Sequence, residues 1–184
     1  MKKYFALICV LMLIMMIVPV LAQDDGGQLQ PDEDPTFATV PMTNGFSPDP
    51  WIVTVLAGGP VNMANEAAEG CFGGVAAVPD VNIEWLEEST GAVRVFFMSL
   101  ADTTIIIRDP EGNFLCNDDS GISGANPLDP AVLINAPMVG TYNIWIGTYL
   151  QDELAAGYLM ITEFADTYPG QIISNMMGTI IEPE

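Results

Sequence analysis

The sequence predicts an all-β fold, specifically an antiparallel β-sandwich of the jelly-roll type. From Trp51 onward, short runs of Val, Ile, Thr and aromatic residues alternate with clusters of Gly, Pro, Asn and Asp. Short strands separated by turn residues at regular intervals are typical of sandwiches and barrels. The same region contains two cysteines, Cys71 and Cys116, and small exported β domains often pair such residues.

Eight strands are predicted from runs of β-branched and aromatic residues. They cover residues 51–57, 81–86, 92–99, 103–108, 114–117, 131–135, 141–149 and 157–163. Between the fourth and fifth of these, Asp109-Pro110-Glu111-Gly112 forms a turn with Pro at the position that needs φ near −65°. Residues 62–70 are predicted to form either one helical turn or a loop.

The chain begins with an export signal. Lys2 and Lys3 precede an apolar run over residues 4–18, and Val20-Leu21-Ala22 forms a small-residue cleavage site. We expect cleavage after Ala22, with an uncleaved membrane anchor as the alternative. Because only this signal and a linker precede Trp51, we expect the module to act without a catalytic domain in its own chain.

Residues 23–49 are predicted to be a disordered acidic linker, because they are rich in Pro and Asp and contain few large apolar side chains. A weak pairing of residues 36–40 stays open. The sandwich domain is assigned to residues 50–165 and a poorly ordered tail to residues 166–184. The apolar stretch 171–181 leaves an edge strand or a docked tail as alternatives for that tail.

The charge excludes some partners. The chain has 24 acidic and four basic residues, a net charge of −20, and loss of the two signal lysines would leave −22. Nucleic acid and anionic membrane surfaces are therefore unsuitable partners. Cationic partners and divalent ions fit the charge, and solubility alone is the simpler explanation.

The residue types argue against an enzyme. The chain has no histidine, and its two lysines lie in the signal. Catalytic Ser-His-Asp, Cys-His and Ser-Lys groups are therefore excluded. A glycosidase needs only two carboxylates and stays as the catalytic alternative.

Cys71 and Cys116 are predicted to form a disulfide that closes a loop of 46 residues. The remaining cysteine, Cys9, lies in the signal. Two buried free thiols are the alternative, and a zinc site is disfavoured because histidine is absent.

Residues 102–121 are dense in side-chain oxygen atoms, which favours calcium. The candidate ligands are Asp102, Asp109, Glu111, Asn113, Asn117, Asp118 and Asp119. Their spacing does not match an EF-hand loop, because Ser120 stands where the twelfth-position Glu is required. Asp and Asn also form turns without any metal, which is the alternative.

Trp145 and Tyr149 are candidates for a ligand-binding platform, because residues four apart lie on one face of a strand. Burial of these rings between the two sheets is the alternative.

Several motifs occur in a familiar order: Cys71-Phe72-Gly73-Gly74, then a strand opened by Asp102, Asp109-Pro110-Glu111-Gly112, Cys116-Asn117-Asp118-Asp119 and Gly140-Thr141-Tyr142. In this order, over residues 51–163, the chain resembles the bacterial pre-peptidase C-terminal domain. The resemblance implies a jelly-roll-like sandwich that serves in targeting, substrate binding or secretion. Related collagen-binding modules hold calcium at a junction of strand and loop, which supports the calcium prediction.

We therefore predict a secreted, periplasmic or cell-surface binding module without catalytic activity. Its target is an unidentified extracellular protein or glycan, and its oligomeric state is not predicted. After signal cleavage we expect no membrane association. The alternative is a structural or adhesive envelope protein, anchored by an uncleaved N-terminal helix with residues 23–49 as its stalk.

Overall fold

The computed structural model describes residues 27–66, 70–121, 127–151 and 153–164. The predicted signal (1–22) and C-terminal tail (166–184) lie outside the described residues. Within the described part of the chain, no helix is both long and apolar enough to cross a bilayer.

Eleven strands and one short 3-10 helix make up the described elements. The strands are β1 (Ala38–Met42), β2 (Trp51–Ala57), β3 (Val61–Asn62), β4 (Gly74–Val75), β5 (Val81–Trp85), β6 (Ala92–Ser99), β7 (Thr103–Arg108), β8 (Phe114–Asn117), β9 (Ala131–Asn135), β10 (Gly140–Thr148) and β11 (Ala155–Thr162), and the 3-10 helix is Met63–Asn65. Five predicted strands have the observed bounds, and the other three differ by one or two residues at their ends. The short strands β3 and β4 were not predicted.

The strands form two packed sheets, which confirms the predicted β-sandwich. A four-stranded antiparallel sheet has the order β2-β11-β6-β9. A seven-stranded sheet has the order β1-β5-β10-β4-β3, and the β7–β8 hairpin joins it by pairing β7 with β10. The last described strand, β11, lies between β2 and β6, which come much earlier in the chain.

The main core lies between the two sheets and follows the two-residue period of a strand. In β5, Val81, Ile83 and Trp85 face inward and are buried, and Glu84 between them is exposed. The opposing sheet contributes Phe97 and Leu159, which are also buried. This alternation fixes the register, because a slip of one residue would expose every inward side chain.

The predicted disordered linker over residues 23–49 is wrong for residues 38–42. These residues form β1, which pairs in parallel with β5 and extends the seven-stranded sheet. The physical reason is alternation: Val40 and Met42 pack against the core, and Thr39 and Pro41 are exposed. Burial of these two side chains offsets part of the entropy cost of ordering the segment.

Candidate functional site

Part of the outer face of the seven-stranded sheet, around Ile106 of β7 and Trp145 of β10, is covered by the protein's own chain. A second apolar cluster forms there, made of Val61, Met63, Cys71, Val75, Ile106 and Trp145. Leu29 packs against this cluster, and the Gln30 N–H donates a 2.8 Å hydrogen bond to the Ala77 carbonyl. Leu29 and the described residues between Val61 and Ala77, which include strands β3 and β4 of the same sheet, therefore cover Ile106 and Trp145.

The predicted disulfide is present between Cys71 and Cys116, with Cα atoms 5.3 Å apart. Cys116 lies on β8 opposite Ile106, which belongs to the covering cluster. The bridge therefore links the covering segment directly to a strand of the sheet that it covers.

The seven candidate calcium ligands do not come together at one place. In the β7–β8 hairpin Arg108 pairs with Phe114 and Ile105 pairs with Asn117. The turn residues Asp109, Glu111 and Asn113 therefore lie at one end of the hairpin. The other four candidates, Asp102, Asn117, Asp118 and Asp119, lie at the other end, roughly 10 Å away by strand geometry. The structure therefore divides the seven candidates into two groups.

Asp109 forms the turn with its own carboxylate. Its Oδ1 accepts from the backbone N–H groups of Glu111 (2.9 Å) and Asn113 (2.8 Å), and its Oδ2 accepts from the Asn113 amide (2.9 Å). The carboxylate therefore closes an Asx turn, the structural role that the sequence also allowed for this residue.

At the other end, Asp102, Asp118 and Asp119 form a group that we call the acidic corner. Burial raises the pKa of Asp102 above 3.8, and the charges of Asp119 and Asp118 raise it further. The Asp102 Oδ1 atom is buried without a hydrogen-bond partner. Asn117 stiffens the corner, because its Oδ1 accepts from the Ala131 N–H and its Nδ2 donates to the Asp119 carbonyl.

Among the described residues, no group of three or more His, Cys, Asp or Glu side chains is arranged to hold a metal ion. A calcium ion at the acidic corner would therefore also need the Asn117 amide oxygen or backbone carbonyl oxygens.

The predicted aromatic platform does not form. Trp145 is fully buried in the covering cluster, and its Nε1 donates to the Ala77 carbonyl at 3.4 Å. Tyr149 follows the end of β10 and is 49% exposed. For Trp145 the alternative of burial therefore holds, although the covering cluster, rather than the gap between the sheets, contains it.

The outer face of the four-stranded sheet is different, and we call it the open face. Its strands contain no Asp or Glu and a single basic residue, Arg94. Exposed or half-buried apolar side chains occupy its outward positions: Ile52, Leu56, Met98, Ala131, Leu133, Ala156 and Tyr158. Two further outward side chains, Phe96 and Met160, form a small buried cluster. An apolar sheet face in so acidic a chain points to an interaction surface.

One end of the open face contains a cavity of about 360 Å³, which we call the notch. The lining residues are Thr54, Met98, Ser99, Leu100, Ala156, Gly157 and Tyr158. Tyr158 pairs in register with Thr54 on one side and with Met98 on the other, so their side chains form one row across the sheet. Leu100 follows β6 and is fully exposed.

The notch and the acidic corner are adjacent. The buried Asp129 accepts from the Ser99 N–H through its carboxylate (3.3 Å) and from the Ser120 N–H through its carbonyl (3.1 Å). Ser99 lines the notch, and Ser120 directly follows Asp119 of the corner. The Tyr149 N–H also donates to the Asp102 carbonyl, which brings the exposed Tyr149 to the same end of the sandwich.

A second, polar cavity of about 640 Å³ lies on the seven-stranded sheet. Its lining residues are Pro31, Asp32, Glu33, Asp34, Thr39, Asn82, Glu84, Arg108, Pro110, Val139, Gly140, Thr141 and Asn143. The Asn143 Nδ2 donates to both the Asn82 Oδ1 (3.0 Å) and the Pro31 carbonyl (3.1 Å). These bonds hold residues 31–34 against the sheet, so the amides serve the fold.

Asp80 is the most strongly perturbed carboxyl, and its role is also structural. Strand β10 pairs with β5 up to Ile144 and with β4 at Thr148. In the gap between, the Asp80 Oδ2 accepts from the Ile146 N–H at 2.7 Å, and the Gly58 N–H donates to the Ile146 carbonyl at 3.0 Å. Burial raises the pKa of Asp80 from 3.8 to about 7, although the hydrogen bond from Ile146 opposes that rise.

Comparisons with known proteins are sparse. No family model and no curated protein matches the chain. Among solved structures, it is similar to PliG of Aeromonas hydrophila, a periplasmic inhibitor of g-type lysozyme. That similarity has a TM-score of 0.33 at 9% identity and covers 68% of this chain and 97% of PliG. A similarity at this level says nothing about what this chain binds.

Proposed function

We propose that this protein is an exported, non-catalytic binding module that holds an extracellular or envelope protein against its open face. The apolar character of that face carries the proposal. Its outward positions include Ile52, Leu56 and Tyr158, each at least 40% exposed, and its strands contain no carboxylate. Contiguous exposed apolar surface is unfavourable in water and is characteristic of surfaces that bind partners.

Export is supported by the sequence and by the sulfur chemistry. The N-terminal residues have the pattern of a secretory signal, and the structure contains a disulfide. Disulfides persist mainly in oxidising compartments. N-terminal sequencing of the exported protein should give Gln23, and an intact N-terminus would favour the anchored envelope protein instead.

The resemblance to the pre-peptidase C-terminal domain is part of the proposal. The motifs that carry it include the aspartate-opened strand, the Asp-Pro-Glu-Gly turn and the Cys-Asn-Asp-Asp sequence, and these occupy one continuous hairpin, β7–β8. A glycan target would require rings to stack on the sugar. The predicted pair of Trp145 and Tyr149 cannot provide this stacking together, because Trp145 is buried, and we therefore propose a protein target before a glycan.

The test uses two matched double variants. Leu100→Asp with Tyr158→Asp places two carboxylates on the open face, and Leu86→Asp with Val139→Asp makes the same change at exposed residues beside the other sheet. Partners captured from the extracellular fraction should be lost with the first variant and kept with the second. Capture by both variants equally, with both folded, would contradict a role for the open face.

Calcium binding is proposed for the acidic corner alone. The Asp102 Oδ1 atom has no hydrogen-bond partner, and the three carboxylates repel one another. A bound cation would provide a ligand for that oxygen atom and reduce the repulsion. In this proposal calcium orders the loops around the corner and performs no chemistry.

A further inference from the structure

The position of the acidic corner beside the notch narrows the class of partner. We propose, on the basis of the proposed function, that the notch receives an apolar side chain from a lysine- or arginine-rich segment of a partner protein. The cationic groups of that segment would lie over Asp102, Asp118 and Asp119. The partner is therefore a basic protein that presents an apolar residue between positive charges.

The size and lining of the notch support an apolar anchor. A cavity of about 360 Å³ is large enough for one large side chain, and Met98, Leu100 and Tyr158 provide apolar contacts. None of the described residues that line the notch is charged. Burial of a Leu-sized group there should tighten binding roughly tenfold or more.

Charge complementarity supports the cationic flanks. The chain has a net charge of −20, so a second copy of it is repelled at long range. At the corner, the carboxylates of the consecutive residues Asp118 and Asp119 repel each other, and the Asp102 Oδ1 atom is buried without a hydrogen-bond partner. An ammonium or guanidinium group of the partner would relieve this repulsion, because the three carboxylates already lie together in the free protein.

The connection through Asp129 makes the two parts one site. Its carboxylate contacts the Ser99 N–H at the notch, and its carbonyl holds Ser120 beside the corner. The proposal therefore places the cation two or three residues from the anchor in an extended segment, where each residue spans about 3.3 Å.

The experiment titrates the ¹⁵N-labelled exported protein with the peptide acetyl-Lys-Lys-Gly-Leu-Gly-Lys-Lys-amide and follows amide chemical shifts. Shifts should concentrate at Ser99, Leu100 and residues 118–120. A peptide with Ser in place of Leu should bind roughly tenfold more weakly or worse. A peptide with Glu in place of each Lys should not bind.

Two protein variants separate local recognition from general attraction. Asp118→Asn with Asp119→Asn should weaken the Leu peptide about fivefold to tenfold at low salt. Asp32→Asn with Asp34→Asn removes the same charge from the other sheet's cavity and should change the affinity less than twofold. Equal weakening by both variants would overturn the proposal, because only net charge would then matter.

The capture experiment distinguishes failure of this inference from failure of the proposed function. If capture is lost with Leu100→Asp and Tyr158→Asp but unaffected by Asp118→Asn and Asp119→Asn, the open face binds a partner that is not selected by positive charge. If neither variant pair reduces capture, the proposed function fails as well.

Discussion

The two sheets differ in how far their outward apolar side chains are covered. On the seven-stranded sheet, the apolar side chains Ile106 and Trp145 are buried beneath a layer formed by the protein's own N-terminal segment and the chain that precedes β5. On the four-stranded sheet, Ile52, Leu56 and Tyr158 are still in contact with solvent. Burial of apolar surface within the chain stabilises the fold, whereas apolar surface left exposed is available to a partner.

The largest expected difference between the faces is in the free energy of unfolding. Trp145→Ala should destabilise the protein by about 3–5 kcal/mol, because it removes a fully buried ring and leaves a cavity. Tyr158→Ala on the open face should cost less than about 1 kcal/mol. Urea unfolding of both variants measures the difference. Similar losses in the two would show that the open face also supports the fold.

The disulfide should matter mainly to the covered face. Replacing Cys71 and Cys116 by Ala together should cost about 4 kcal/mol by the chain-entropy model for a 46-residue loop. Local opening should be greatest in the segment that covers the sheet. Limited proteolysis should therefore cut residues 58–80 faster in the double variant, with the strands of the open face protected as before. Faster cutting throughout the chain would contradict this localisation.

The buried Asp80 gives the covered sheet a pH dependence of unusual sign. In the folded state the pKa of Asp80 is about 7, above its ordinary value of 3.8. Between pH 4 and pH 7 the folded protein therefore keeps a proton on Asp80 that the unfolded chain has released. The contribution to stability is complete below about pH 4 and is lost as the pH rises through about 7. For a rise in the pKa of Asp80 from 3.8 to about 7, this loss is up to about 4 kcal/mol.

Asp80→Asn isolates this effect, because an amide oxygen can still accept from the Ile146 N–H but does not ionise. Between pH 4 and pH 8 the unfolding free energy of the wild type should fall relative to that of the variant. Asp32→Asn, on the exposed segment, is the control for overall charge. A difference that does not change with pH would show that Asp80 is ionised in both states.

The smallest expected effect concerns calcium at the acidic corner. With a dissociation constant of about 1 mM, typical of weak extracellular sites, 10 mM calcium should add about 1.4 kcal/mol. Thermal unfolding with calcium and then with excess EDTA checks this, and Asp118→Asn with Asp119→Asn should abolish it. Identical melting temperatures under all these conditions would show that calcium does not stabilise the folded protein.

Much of the fold was predictable because local patterns and the tertiary structure agree. Runs such as residues 103–108 and 131–135 have β-branched side chains bounded by turn residues, and they form strands with the predicted bounds. The two cysteines pair as their number predicted. Strand β1 was missed because a composition rich in Pro and Asp hides the short alternation of Val40 and Met42.

The site was less predictable because it depends on which surfaces the chain covers. Trp145 has the sequence context of an exposed platform residue, and only the covering layer, far away in sequence, buries it. In strand β2, the outward residues Ile52, Thr54 and Leu56 alternate with inward apolar residues, and this pattern is visible in the sequence. That alternation does not reveal which face becomes covered, since both faces of the strand contain apolar residues.

The central position of β11 has a consequence for how the chain matures. This strand pairs with β2 on one side and β6 on the other, so until residues 155–162 have emerged both neighbours have an unsatisfied edge. Completion of the four-stranded layer must therefore wait until residues 155–162 are available to pair. Sheet closure is a late event, and an intermediate with two open edges is the species that would need protection from aggregation.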